Sequence, residues 1–115
     1  MKKFMLSFFG GNMALRYDNL NKAGKDAQEK HGAAWGEWMA ALVKANHLET
    51  GYPLESEGKC VDADGTEPYH FTDTTEGGFV ILNAESLDQA AELERSSPII
   101  KNGGYILVRP CGEMK

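Results

Sequence analysis

What this sequence lacks narrows it first. It has only two cysteines in 115 residues, Cys60 and Cys111. They form no C-x-x-C or other ligand-like spacing, so plain thiols are expected rather than a disulfide framework or a metal knot. It has no excess of basic charge. Twelve Lys and Arg stand against 17 Asp and Glu, a formal net charge of −5. Phosphate binding needs clustered Lys and Arg, which argues against nucleic acid as a main partner. No apolar run is long enough to span a membrane, so no membrane partner is expected. The three histidines lack any H-E-x-x-H spacing, and the glycine pairs lack a G-x-G-x-x-G or G-x-x-x-x-G-K setting. Neither a metal nor a cofactor is therefore expected. No long-period repeat and no low-complexity linker divides the chain, and its length suits a single domain over residues 1–115.

The first residues need separate treatment. Met-Lys-Lys followed by FMLSFFGGNMAL imitates a secretory signal, with a basic start and an apolar core. No small-x-small cleavage site stands out before Arg16, and Gly10-Gly11-Asn12 interrupts the apolar run. The expectation is a first strand and a cytoplasmic protein. Over residues 3–9, Phe4, Leu6 and Phe8 point one way, and Met5, Ser7 and Phe9 the other. Both faces of that strand are largely apolar. A single layer of helices covers one face only, so the second face should be covered by another copy of the chain.

The clearest pattern lies at 77–110. Gly77-Gly78 punctuates, and residues 79–82 form a continuous apolar run that suits a strand. Ser86 with Gln89 three residues on makes a capping box, and Asp88 adds negative charge in the first helical turn. Leu87, Ala90, Ala91 and Glu94 follow helical spacing. Pro98 should end the helix, 102–104 should turn, and 105–108 should form a strand. Such a crossover returns the chain to the same sheet. Upstream, 10–30 is polar and reads as a long loop with a short helix at most. A helix is predicted over 33–45, where Trp35, Trp38, Met39, Leu42 and Val43 fall at i, i+3, i+4, i+7 and i+8. Asn46 suits a left-handed C-terminal cap. An extended segment follows at 47–54. A hairpin is predicted from 59–61 to 69–72 around Asp64-Gly65, on an acidic arm.

With the hairpin taken as an insertion, the order is βαββαβ, an α+β ferredoxin-like sandwich. The segments KKFMLSFFG, AWGEWMAALVKANHLETGYPL, GKCVDADG, GGFVILNAESLDQAAELERSSPII and GGYILVRP resemble the YCII-related family in order and spacing, including its DGPF-type members. The resemblance covers most of the chain outside 12–30. It implies a ferredoxin-like fold that pairs through its sheets into a dimeric α/β barrel, similar to muconolactone isomerase. It also implies small-molecule enzymes, one class of which removes chloride from a hydroxylated ring with a proposed His–Asp pair. Two departures matter. The family's helix histidine falls near Trp35, with His31 one turn earlier, and the D-G-P-F run is replaced by Asp73-Thr74-Thr75-Glu76.

The candidate catalytic residues are therefore His31, Asp73 and His70. His31 lies at i−4 from Trp35, and near a helix start its imidazole tends to stay neutral and basic. Asp73 would orient it, with His70 and Glu76 as the alternative pair. Each also has a plain structural reading, as a solvated loop histidine or a capping aspartate. The candidate substrate-binding residues are Ser7, Trp35, Tyr52 and Glu76. Trp35, Trp38 and Tyr52 could form an aromatic wall for a flat ligand, or simply pack helix on sheet. The first functional expectation is a homodimeric lyase or isomerase acting by acid–base chemistry on a small cyclic or aromatic ligand. The alternatives are a non-catalytic ligand-binding or regulatory module and a cofactor-free oxygenase.

Overall fold

The computed structural model describes residues 1–10, 25–55, 57–70, 72, 75–101 and 103–113, without side chains at 25–28 and 31. The elements are β1 (Lys2–Gly10), α1 (Lys25–Lys44), β2 (Leu48–Pro53), β3 (Lys59–Asp62), β4 (Gly65–Pro68), β5 (Gly78–Ala84), α2 (Leu87–Glu94), α3 (Pro98–Lys101) and β6 (Gly104–Pro110). Four strands form one antiparallel sheet in the order β2-β5-β1-β6, and β3 and β4 form a separate two-stranded sheet. With that hairpin set aside, the chain is the expected ferredoxin-like βαββαβ sandwich.

The central strands show why one face is committed to the helices. In β1, Phe4, Leu6 and Phe8 are buried, while Met5, Ser7 and Phe9 are half-buried. In β5, Val80, Leu82 and Ala84 are buried, and Phe79, Ile81 and Asn83 are half-buried. Register places like with like: Leu6 stands opposite Val80 on one side and Val108 on the other. Strand alternation then puts Phe4, Leu6, Val80 and Leu82 under the helices. Each such large apolar side chain contributes about 1.5–3 kcal/mol on burial. The opposite face is open. There Ser7 stands in register between Phe79 and Leu107, and Phe9 stacks on Tyr105 with ring centroids 5.3 Å apart. Tyr105, Leu107 and Tyr52 on that face are about half exposed or more.

From α1, Trp38 and Leu42 enter the core, and Trp35 and Met39 pack at its margin. Val43, expected on the same stripe, is instead exposed at 59%, because the stripe is only wide enough for its central residues to reach the sheet. The helix closes with a Schellman cap: His47 N–H donates to Leu42 O at 2.8 Å, and Asn46 N–H to Val43 O at 3.0 Å. Asn46 takes the left-handed conformation, φ 62°, that this cap requires. At α2, the Ser86 hydroxyl accepts from Gln89 N–H at 3.1 Å, as the capping box predicts.

Four expectations need correction. The helix over 33–45 begins at Lys25; its added turns, KDAQEKHG, are polar and carry no apolar stripe, so periodicity does not reveal them. The return strand of the hairpin is Gly65–Pro68 rather than 69–72, because Asp62 pairs directly with Gly65 and the loop is only two residues long. Pro98 opens α3 instead of merely stopping α2. A first-turn proline has no helical N–H to lose. Leu87 is 45% exposed, so the α2 stripe runs through Ala90 and Glu94. Gly104 is required by close approach, since a Cβ there would stand 2.6 Å from both Ile99 and the Phe9 carbonyl.

Candidate functional site

One end of the sheet gathers the polar chemistry. β1 and β2 end there, and β5 and β6 begin there, as their antiparallel pairing requires. At that end lies a cleft of about 410 Å³ lined by Leu54, Glu55, Glu57, Tyr69, Thr75 and Glu76. Backbone hydrogen bonds fix its walls. Leu54 N–H donates to Gly77 O at 3.0 Å, Tyr69 N–H to Gly58 O at 2.9 Å, and Gly77 N–H to Phe8 O at 2.8 Å. The wall just before β5 is shaped by Thr75. Its hydroxyl oxygen accepts from Thr72 N–H at 3.0 Å and lies 3.3 Å from the Tyr69 hydroxyl, while Thr75 N–H donates to Thr72 O at 3.0 Å. This local hydroxyl turn holds Tyr69 and Glu76 on the same cleft.

Glu76 is the group in the cleft with chemistry to spare. Its Oε1 is sealed from solvent without a hydrogen-bond partner among the described residues. A buried carboxylate oxygen gains by receiving a hydrogen-bond donor. Glu55 and Glu57, from the acidic arm, line the same space. Nothing in their spacing signals this, because the tight hairpin that folds the arm back is a tertiary feature.

The other candidates scatter. The side chain of His31, and Asp73 entirely, lie outside the described residues. The backbone of His31 is in α1, one turn before Trp35. His70 is exposed and is not among the cleft-lining residues. No strand runs through residues 69 and 70, so the alternation expected there does not apply. Trp35 sits on the helix-covered side, its ring 5.5 Å from Phe8 and 5.6 Å from Trp38, both edge-to-face. Tyr52 sits on the open side, 6.1 Å from Phe79, and is 64% exposed. Trp35 and Tyr52 thus lie on opposite faces of the sheet and cannot wall one pocket within a protomer. Ser7 also belongs to the open face, not to a space between sheet and helices. The third histidine, His47, lies at the far end, its Nδ1 2.7 Å from the Asn83 carbonyl oxygen.

A second carboxyl group went unremarked in the sequence except as part of a stripe. Glu94 is 3% exposed on the underside of α2, and burial pushes its pKa up to about 8. Among the described residues there is no group of three or more His, Cys, Asp or Glu arranged to hold a metal ion, and no helix is long and apolar enough to cross a membrane. Cys60 and Cys111 are free, exposed thiols.

The class is that of antiparallel ferredoxin-like sandwiches. Within that class the chain belongs to the YCII-related domain family, whose model matches residues 12–115. Its fold is similar to that of 5-chloro-2-hydroxyhydroquinone dehydrochlorinase (TftG) from Burkholderia phenoliruptrix AC1100, solved in complex with 2,5-dihydroxybenzoquinone. The TM-score is 0.56 at 22% identity, covering 97% of this chain and 95% of that one. No functionally curated protein matches the chain.

Proposed function

We propose that the chain is a small-molecule enzyme of lyase or isomerase type that moves a proton on a cyclic or hydroxylated aromatic substrate. The observation that carries this reading is Glu76, a carboxylate that lines a cleft large enough for a single ring and keeps one oxygen without a hydrogen-bond partner among the described residues. Glu76 serves as base, and the Tyr69 hydroxyl, held beside Thr75, orients a ring oxygen. The fold it shares with a dehydrochlorinase bound to a dihydroxybenzoquinone supports a ring substrate. The His31–Asp73 pair remains part of the proposal. The α1 residue one turn after His31 packs on Phe8, and the Phe8 carbonyl receives Gly77 N–H from the segment that follows Asp73. Trp35 and Gly77 thus meet β1 at the same end of the sheet. The enzyme works in the cytoplasm as a single-domain homodimer joined through the open sheet face, without a cofactor.

The test is turnover of a chlorinated hydroquinone, followed by chloride release and by ring absorbance. Glu76→Gln should lower kcat by about 10²–10⁴-fold, the range of a general base, with the fold intact. An unchanged kcat would remove Glu76 from the mechanism. Saturable binding without any turnover in the wild-type protein would replace the enzyme with a ligand-binding module.

A further inference from the structure

The cleft at the strand ends is lined by charge of one sign. Glu55, Glu57 and Glu76 bring carboxylates, Tyr69 and Thr75 bring hydroxyls, and Leu54 is apolar. Among the described residues no Lys, Arg or His lines it. The nearest bases along the chain, Lys59 and His70, are exposed and stand outside the lining. The salt bridges among the described residues join Lys3 to Glu49 and Arg95 to Glu92, none of which lines the cleft. The supply of hydrogen bonds is equally one-sided. A carboxylate accepts and cannot donate. The Thr75 hydroxyl oxygen already accepts from Thr72 N–H, and it faces the Tyr69 hydroxyl at 3.3 Å, so one of those two hydroxyl protons is engaged between them. Glu76 Oε1 has no hydrogen-bond partner among the described residues.

We propose that Glu55 and Glu57 are specificity residues, which restrict the cleft to uncharged ring compounds that donate hydrogen bonds and turn away rings that carry a carboxylate. The inference rests on the reading of the cleft as a substrate site and adds the charge class of what enters it. A carboxylated ring would bring its own negative charge against three carboxylates. Two like charges about 4 Å apart cost about fivefold in affinity even in bulk water. A hydroxylated ring instead supplies the donors that the lining lacks. The roles of the three glutamates divide by position. Glu76 stands just before β5 and handles the reacting proton. Glu55 and Glu57 lie between β2 and β3, and act on which ring is admitted. Both are exposed, so their field is one that dissolved salt screens. Uniform charge on a cleft selects among ligands in this way without any contact specific to one of them.

Three probes separate charge from donor supply. Resorcinol has two ring hydroxyls, 1,3-dimethoxybenzene has both of them methylated, and 3,5-dihydroxybenzoate adds a carboxylate. At a pH of about 7 the resorcinol hydroxyls are uncharged. Binding is read from the backbone amide signals of Thr75 and Gly77. Resorcinol should shift them saturably, and each of the other two should bind about tenfold more weakly or worse. In about 1 M salt the gap between resorcinol and 3,5-dihydroxybenzoate should narrow, while the gap to 1,3-dimethoxybenzene should stay. The double variant Glu55→Gln with Glu57→Gln should raise the affinity for 3,5-dihydroxybenzoate about fivefold or more and leave that for resorcinol nearly unchanged. Equal binding of resorcinol and 3,5-dihydroxybenzoate, or a preference that neither salt nor the double variant moves, would overturn the charge filter. Equal binding of resorcinol and 1,3-dimethoxybenzene would overturn the need for donors. In each of these cases the cleft still binds a ring and its reading as a substrate site survives. No saturable shift with any of the three would overturn this inference together with that reading.

Discussion

Glu94 ties the stability of the protein to pH. In the unfolded chain its carboxyl titrates near the ordinary value of 4.5, and in the fold near about 8. Between those values the folded state holds a proton that the unfolded state releases. Stability is therefore full below about 4.5 and falls as pH rises to about 8, by up to roughly 5 kcal/mol. Urea melts across that window should show the decline, and Glu94→Gln should flatten it. A wild-type profile with no decline would mean that the carboxyl ionises without cost. The two aromatic residues that sequence set side by side should also separate. Trp38→Ala empties a core position and should cost about 3–5 kcal/mol. Tyr52→Ala, on the open face, should leave the protomer's thermal stability nearly unchanged. Equal losses would place Tyr52 in the core.

Elements were most legible where local chemistry and tertiary role agree. Ser86 with Gln89, Asn46, and the apolar alternation of β1 all signal what they do, because a cap or a strand face is written within a few residues. Ser86→Ala should therefore lower stability by about 1 kcal/mol, in line with other N-caps, and a thermal melt checks it. The first two turns of α1 were illegible because their polar residues give no period to read, and helix propensity alone is a weak guide. Pro98 carries two signals at once, because a proline that stops one helix also suits the first turn of the next. The candidate site was legible only in part. Glu76 could be named from its place before a strand. Glu55 and Glu57 could not, since their approach to it depends on how the hairpin folds back. Glu94 looked like one more polar member of a stripe, and only the packing of α2 shows it to be inside.

For the whole molecule, the asymmetry between the two sheet faces is the dominant fact. One face is sealed by helices, while the other leaves Tyr52, Tyr105 and Leu107 about half exposed or more. A sheet of this kind should pair with a second copy, burying on the order of 1,500 Å² or more in total. Sedimentation at micromolar concentration should show a dimer, and a clean 12.6 kDa species would sink the paired barrel. Tyr52→Ala, harmless to the protomer, should then loosen the pair, and Leu107→Asp should split it.

The β3–β4 hairpin has a different consequence. All eight residues of its strands are exposed, and they pair with each other outside the main sheet. It is clasped at its base by the Tyr69–Gly58 hydrogen bond, directly beside the cleft residues Glu57 and Tyr69. The arm is thus a module that can vary in length and sequence without disturbing the core, yet any change to it alters one wall of the cleft. Relatives built on this sandwich could change what they accept by exchanging the arm alone, and grafting another arm between Gly58 and Tyr69 is the direct way to redesign specificity.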